Sequence, residues 1–184
     1  MAIDMDYDLD RWVYVPNLFP WESFGDEEQW ADAVARAFGG EGRTAAPAEL
    51  VDWLRAYLVG AVRSNRSGTI RFVHLPNITA PHAIVDVYDM PHRDDVALVD
   101  LTHERQAPAA REPEVVPFDS EHLGAGIKST RWVRTEADTI VRATNWVWRT
   151  VERDIVVMTA SSDLPLAEAL DPVVDELART IRLA

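Results

Sequence analysis

The chain contains no cysteine. This absence excludes disulfide bonds, thiol nucleophiles, zinc–thiolate sites and lipidation at a cysteine. Basic residues are also scarce: the 184 residues include 18 Lys and Arg against 31 Asp and Glu, which gives a formal net charge of −13. Nucleic acids and anionic membrane surfaces attract clustered positive charge, so we expect neither of them to be a partner.

Long hydrophobic runs are missing as well. No segment of the sequence approaches the roughly 20 apolar residues that a membrane-spanning helix needs. The chain starts with the acidic stretch Met1–Asp6, whereas a secretory signal starts basic and then turns apolar. The sequence therefore predicts a cytoplasmic protein with no membrane partner.

The acidic residues are concentrated at the start of the chain. Residues 1–32 carry nine Asp and Glu, and Arg11 is their only base. We expect residues 1–10 to form a frayed acidic end, and we expect the acidic region to be either a solvated patch or an interaction face for a basic protein partner. The basic residues are 17 Arg and a single Lys, Lys128, which with the many alanines indicates a GC-rich coding bias rather than a functional preference for arginine.

Two segments show the apolar spacing of helices. In residues 26–38, Asp26 and Gln29 have the spacing of a capping box, and Trp30 begins an apolar stripe. Residues 47–65 keep helical spacing for four turns, and the pattern places Trp53 in the core stripe. A third helix is predicted at the end of the chain, with a break at Asp171-Pro172 where Asp171 would cap a new helix.

Strand-like alternation dominates the middle of the chain. The segment 139–151 is apolar on both faces, which is typical of a central strand covered on both sides. Residues 104–114 have no periodicity and predict an exposed loop. The predicted strands are 11–16, 69–75, 83–88, 96–101, 126–134, 139–151 and 155–160.

The order of these elements is one strand, two helices, about six strands and a closing helix. Since helices and strands do not alternate, a parallel doubly wound sheet is disfavoured. The sequence predicts a single α+β domain over residues 1–184. Its sheet would be mainly antiparallel, with about six to seven strands and helices packed on its faces.

This organisation resembles the PsbP-like fold, which includes the photosystem II oxygen-evolving subunit, the Ran-binding nuclear import factor and the bacterial DcrB and LpqN types. The resemblance lies in the early strand segment Trp12–Pro16 followed by Trp21, in the meander 126–160 and in the amphipathic helix after it. It is topological and covers roughly the first 25 and the last 60 residues. The lipidation cysteine of the lipoprotein members is absent, and the helices within 26–65 depart from the pattern. The resemblance implies a non-catalytic binding or assembly factor and transfers no functional residue.

The first functional hypothesis is a protein-interaction or assembly factor. The loop 17–25 is rich in aromatic residues and adjoins the acidic end of the chain. Aromatic side chains are enriched at protein interfaces. We therefore expect Phe19, Trp21 and Phe24 to bind a protein partner.

The alternative is a small-ligand carrier with an aromatic pocket between the sheet and the helices. Trp132, Trp146 and Trp148 lie on neighbouring predicted strands. Asn145 falls on the opposite face of its strand, among apolar residues, where a polar group needs a hydrogen-bond partner. An aromatic core beneath the helices explains the three tryptophans better than a pocket does.

Chemical motifs are weak throughout the sequence. The cluster Asp119-Ser120-Glu121-His122 offers the residue types of a hydrolase, but no nucleophile-elbow motif is present. The best candidate for a metal site is His92 with Asp94 and Asp95. We nevertheless favour the interpretation that His92 is an ordinary surface histidine. We therefore expect no catalytic residue, no metal and no cofactor, and we rank a hydrolase with an unrecognised site third.

Overall fold

The computed structural model describes residues 3–40, 45–102 and 109–184, and in these ranges the fold is α+β, as predicted. Seven strands form one antiparallel sheet and two strands form a second. The helices are α1 (Glu27–Gly39), α2 (Ala48–Arg63) and α3 (Leu164–Arg179). The strands are β1 (Ile3–Asp4), β2 (Trp12–Val15), β3 (Thr69–His74), β4 (Ala83–Pro91), β5 (Ala109–Pro117), β6 (Gly126–Arg134), β7 (Ile140–Arg149), β8 (Arg153–Ser161) and β9 (Arg182–Leu183). Among the described helices, none is both long and apolar enough to cross a membrane.

The chain divides into two compact units. The amino-terminal unit is Asp8–Ile84, and the carboxy-terminal unit is Val85–Ala184 together with Met1–Tyr7. The expectation of one domain over the whole chain stays a prediction.

In the amino-terminal unit, β2 and β3 pair antiparallel, and α1 and α2 contribute to the core. The N-cap predicted for α1 at Asp26 is confirmed, but the return hydrogen bond of the capping box goes to the residue before it. The Asp26 carboxylate accepts a hydrogen bond from the backbone N–H of Gln29 at 2.9 Å, and the Gln29 side chain accepts one from the N–H of Gly25 at 3.1 Å. The core consists of Val13, Val15, Trp30, Ala31, Ala35, Leu54, Leu58, Val59, Ala61, Val73, Leu75 and Ile78.

In the carboxy-terminal unit, the strands follow the order β4-β8-β7-β6-β5. The meander predicted over residues 126–160 is confirmed, because β6, β7 and β8 pair with their sequence neighbours. The register places Lys128 beside Trp146 and Ser129 beside Asn145. Since side chains alternate between faces, these two pairs lie on opposite faces of the sheet.

Helix α3 covers one face, where ion pairs of the buried Arg142 and the partly buried Lys128 connect it to the strands. Arg142 donates two hydrogen bonds to the Asp171 carboxylate, at 2.9 and 2.7 Å, and a third to the carbonyl of Ala167 at 2.9 Å. Lys128 donates to Asp175 at 2.8 Å. Burial alone would raise the pKa of Asp171, but the hydrogen bond from Arg142 and the charge of Lys128 hold it below its usual value.

A short 3₁₀ helix, Leu98–Thr102, contacts β6 and β7 in the same unit. The Thr102 hydroxyl donates to Val99 O at 2.6 Å and lies 3.4 Å from the Ser129 hydroxyl, so this segment belongs to the Ser129 and Asn145 face. Arg149 donates to Val96 O at 2.8 Å. The strand predicted for 96–101 is therefore wrong, because the segment forms a turn and a 3₁₀ helix with local backbone hydrogen bonds, such as that from Asp100 N–H to Ala97 O at 2.9 Å.

Three further expectations differ from the structure. The loop predicted over residues 104–114 is wrong for residues 109–114, which belong to β5 and pair with β6. β5 is exposed along almost its whole length, so its sequence does not alternate between apolar and polar residues. Residues 104–108 lie outside the described residues. Helix α3 continues through Pro172, because Asp171 pairs with Arg142 instead of capping a new helix. Ile3 and Asp4, expected to fray, pair with Leu183 and Arg182.

Replacement of Asp171 tests how strongly α3 depends on its ion pair. In Asp171→Asn, the Arg142 guanidinium stays buried without its charge partner, so we expect the free energy of unfolding to fall by about 3 kcal/mol. Urea denaturation followed by circular dichroism measures the change. Asp138→Asn removes an exposed carboxylate that pairs with Arg134 and should cost less than about 1 kcal/mol. Equal losses in the two variants would contradict a special role for the buried pair.

Candidate functional site

The loop 17–25 of the amino-terminal unit forms a tight aromatic turn. Trp21 and Phe24 exchange two backbone N–H···O=C hydrogen bonds, each 2.9 Å long. Their rings stack with centroids 6.2 Å apart and planes 9° apart. The ring of Tyr14, on β2, lies 5.7 Å from that of Trp21. The backbone and the ring contacts together fix the shape of this turn.

The three residues predicted to contact a partner are only partly exposed. Phe19, Trp21 and Phe24 pack against the core of the unit. The most exposed apolar side chain of this loop is Leu18, with 77% of its surface accessible. Sequence reasoning misses Leu18, because a lone leucine in a loop carries no pattern. A partner role for the three aromatic residues stays a prediction.

Much of the acidic excess of residues 1–32 is neutralised within the chain. Hydrogen bonds and charge from Arg182 lower the pKa of Asp6. Glu22 is exposed and makes no ion pair with any described residue. The ion-paired acids are Asp4 and Asp6 with Arg182, Glu27 and Glu28 with Arg63, and Asp32 with Arg36.

A second aromatic cluster lies on α2 and before β4. The Trp53 and Tyr57 rings stack at 5.5 Å with planes 14° apart, and the His82 ring lies 5.2 Å from Trp53 and 5.6 Å from Tyr57. Burial raises the pKa of Tyr57 and lowers that of His82, so all three rings are uncharged at neutral pH. Trp30 is buried as predicted, but Trp53 is 50% exposed, and its assignment to the core is wrong.

His74, at the end of β3, is a buried imidazole. Its side chain packs beside Trp12, with ring centroids 4.8 Å apart, and the residue is 6% exposed. Within the described residues, neither ring nitrogen finds a hydrogen-bond partner. Burial, assisted by the charges of Arg11 and His82, lowers the pKa of His74 to about 4. The ring is therefore neutral at physiological pH.

The tryptophans predicted to line a ligand pocket lie beneath or beside side chains of their own unit. Trp146 and Trp148 are fully buried, and Trp132 is 9% exposed. The Trp146 indole donates to Asp175 at 2.6 Å. The guanidinium of Arg111 lies 3.0 Å from the centre of the Trp132 ring. The register places all three tryptophans on the face that α3 covers, but the indole N–H of Trp148 is buried with no hydrogen-bond partner among the described residues.

Asn145 lies on the opposite face of β7, next to Ser129. It is 2% exposed, and its side-chain amide nitrogen is buried with no hydrogen-bond partner among the described residues. The structure thus places Asn145 apart from the three tryptophans of the expected pocket. A buried amide donor without an acceptor costs free energy, and an acceptor brought by a bound molecule would remove that cost.

The residues with candidate chemistry have structural roles. His92 contacts Thr150 O through Nδ1 at 3.0 Å and Asp94 through Nε2 at 2.5 Å. The Ser120 hydroxyl accepts hydrogen bonds from the N–H groups of His122 and Leu123, each at 3.3 Å, and so closes a turn. Within the described ranges, no group of three or more His, Asp or Glu is placed to hold a metal ion.

Comparison of the chain with protein-family models, curated proteins and solved structures finds no match in any of the three. The resemblance to the PsbP-like fold therefore stays a prediction.

The buried imidazole predicts a pH dependence of stability. Between pH 6.5 and about 4, the unfolded chain protonates His74 and the folded chain does not, so stability falls as the pH is lowered. We expect His74→Phe, which retains the ring contact with Trp12, to recover up to about 3 kcal/mol at pH 4 relative to pH 7. Urea denaturation at both pH values measures the difference. Replacement of the exposed His122 by Phe is the control, and an equal recovery there would refute the assignment to His74.

Proposed function

We propose that the chain is a non-catalytic protein-interaction or assembly module that binds a basic partner through the Leu18 surface. The Leu18 surface is defined here as the exposed part of the loop 17–25. The observation that carries the proposal is the exposure of Leu18, 77%, on a turn whose shape is fixed by Trp21 and Phe24. In this proposal Phe19, Trp21 and Phe24 support the surface, and their exposed parts form its rim.

A fixed turn favours binding because little conformational freedom is lost when the partner docks. An exposed apolar side chain on such a turn can enter a pocket of the partner, as interface anchors do. The stacked rings of Trp21 and Phe24 also add apolar area around Leu18. These features support a preformed contact surface rather than one that orders on binding.

The charge around the turn supports a basic partner. Glu22 lies within the loop, and Asp26, Glu27 and Glu28 follow it directly. Arg63 compensates part of this charge through its contacts with Glu27 and Glu28. The remaining negative potential would steer a positively charged surface toward the turn, and added salt would weaken that attraction.

A paired substitution of exposed leucines tests this proposal. Leu9 is 74% exposed and serves as the matched control for Leu18. We expect a photo-crosslinking amino acid at position 18 to give a discrete adduct with a basic protein in cells of the natural host, and the same group at position 9 to give none. In a binding assay with the identified protein, Leu18→Asp should reduce affinity about tenfold or more, whereas Leu9→Asp should leave it unchanged. Equal adducts from both positions would refute the Leu18 surface.

A second candidate function, a small-ligand carrier, is favoured by one observation. The buried amide nitrogen of Asn145 makes no hydrogen bond within the described residues, and an acceptor oxygen of a bound molecule would satisfy it. Ser129 and Met158 flank Asn145 on the neighbouring strands. This candidate relocates the expected pocket from the tryptophan face to the Asn145 face.

Native mass spectrometry of the protein purified from its natural host tests the carrier. A bound ligand would appear as a small additional mass that is lost on denaturation. The native spectrum of Asn145→Leu should not show this additional mass. Without a ligand, Asn145→Leu should be neutral or stabilising, because it removes an unsatisfied buried donor. An unliganded mass together with an unchanged or raised melting temperature in the variant would rule out this carrier site.

A further inference from the structure

Helix α2 presents a carboxylate and an exposed indole on one face. Glu49 and Trp53 are four residues apart, a spacing that brings the side chains within about 5–6 Å at their Cβ atoms. Glu49 is exposed, and Trp53 is 50% exposed. Neither residue belongs to the Leu18 surface, so a binding site formed by this pair would be independent of that surface.

The indole of Trp53 is held in a defined orientation. Tyr57 stacks beside it at 5.5 Å, with planes 14° apart, and His82 contacts both rings. Because the rings of Tyr57 and His82 are uncharged at neutral pH, the cluster offers an aromatic surface without a positive charge of its own. A held aromatic ring loses little freedom when a flat group stacks on it.

The chain places its own cations over several other aromatic rings. Arg111 lies 3.0 Å from the centre of Trp132, Lys128 lies 5.0 Å from that of Trp146, and Arg179 lies 4.5 Å from that of Phe118. Over the Trp53 ring, in contrast, the described ranges place no Lys or Arg. Glu49 likewise makes no ion pair with a described residue. The carboxylate and the ring are therefore both available to a cation from outside these ranges.

We propose that Glu49 and Trp53 form a binding site for an arginine side chain of a partner protein. A guanidinium is planar and stacks on an indole, while its N–H groups donate to a carboxylate. Glu49 and Trp53, one turn apart on α2, would supply the two contacts. The net charge of −13 further favours a cationic ligand. Lysine fits less well because its ammonium is compact and strongly hydrated and cannot stack.

A titration with N-acetyl-L-arginine amide tests this site on the full chain. The indole N–H signal of Trp53 is identified in ¹H–¹⁵N spectra by its loss in Trp53→Phe. We expect it to shift during the titration, with a dissociation constant on the order of 10 mM, because one exposed cation–π contact and one exposed ion pair are individually weak. N-acetyl-L-lysine amide at matched ionic strength should bind roughly two- to fivefold more weakly.

Two charge-removing variants of α2 separate a specific carboxylate from general attraction. Glu49→Gln should weaken binding of the arginine probe by roughly two- to fivefold, which corresponds to one exposed ion pair. Asp52→Asn removes the same charge near the same helix end, and Asp52 already faces Arg55 at 3.6 Å. It should leave the affinity nearly unchanged. Glu49 lies in the first turn of α2 and Asp52 does not, so Glu49→Gln also weakens the favourable interaction with the helix dipole. Unchanged circular dichroism confirms that both variants are folded.

Three results would overturn the proposal. Equal effects of Glu49→Gln and Asp52→Asn would mean that only net charge attracts the probe. Equal affinities for the lysine and arginine probes would mean that stacking of a guanidinium on the Trp53 ring does not contribute to binding. A shift of the Trp53 signal with a neutral sugar such as methyl glucoside, but not with the arginine probe, would make the ring a carbohydrate contact instead. A shift with the arginine probe that is lost in Glu49→Gln and kept in Asp52→Asn supports the site.

Discussion

The position of α3 in the carboxy-terminal unit depends on the ion pair between Arg142, which is buried, and Asp171, which is partly buried. A guanidinium and a carboxylate taken out of water lose hydration that only close, well-directed contacts restore. Here Asp171 accepts two hydrogen bonds from Arg142, and Ala167 O accepts a third. These contacts set the position of α3 along the sheet, since a shift by one turn would leave the guanidinium buried without its partner. The apolar side of the helix can then pack in one register.

The same pair explains how α3 tolerates a proline in its interior. Pro172 lacks an N–H group and costs a helix about 3 kcal/mol when it interrupts the hydrogen-bond ladder. Asp171, directly before it, is held by Arg142, while Leu170 and Val174 are buried on either side. Burial and ion pairing offset the local cost. The rule that predicts a helix start at Asp-Pro considers only neighbouring residues in the sequence. It does not include the tertiary contact between Asp171 and Arg142.

The fold can be predicted from the sequence where burial imposes a pattern. The meander 126–160 and helices α1 and α2 are recognisable because their buried side chains repeat with the period of the element. β5 is not predicted because it is exposed along almost its whole length. The segment 96–101 is assigned wrongly because its apolar residues lie in a turn and a 3₁₀ helix closed by local backbone hydrogen bonds. The candidate sites are harder to predict. Helical spacing places Trp53 on a face of α2 but does not show which neighbours cover that face, and a lone residue such as Leu18 has no period at all.

The pairing of β1 with β9 determines how the chain responds to a pulling force. Ile3 pairs with Leu183 and Asp4 with Arg182, so the outermost pair is the one nearest both termini. A force that separates the ends would load this pair first and then the next, and it would open the two strands like a zipper instead of shearing them together. The ion pairs of Arg182 with Asp4 and Asp6 would break early, because they lie at the same point. The two-stranded sheet therefore opens one pair at a time under such a force, even though it joins distant parts of the sequence.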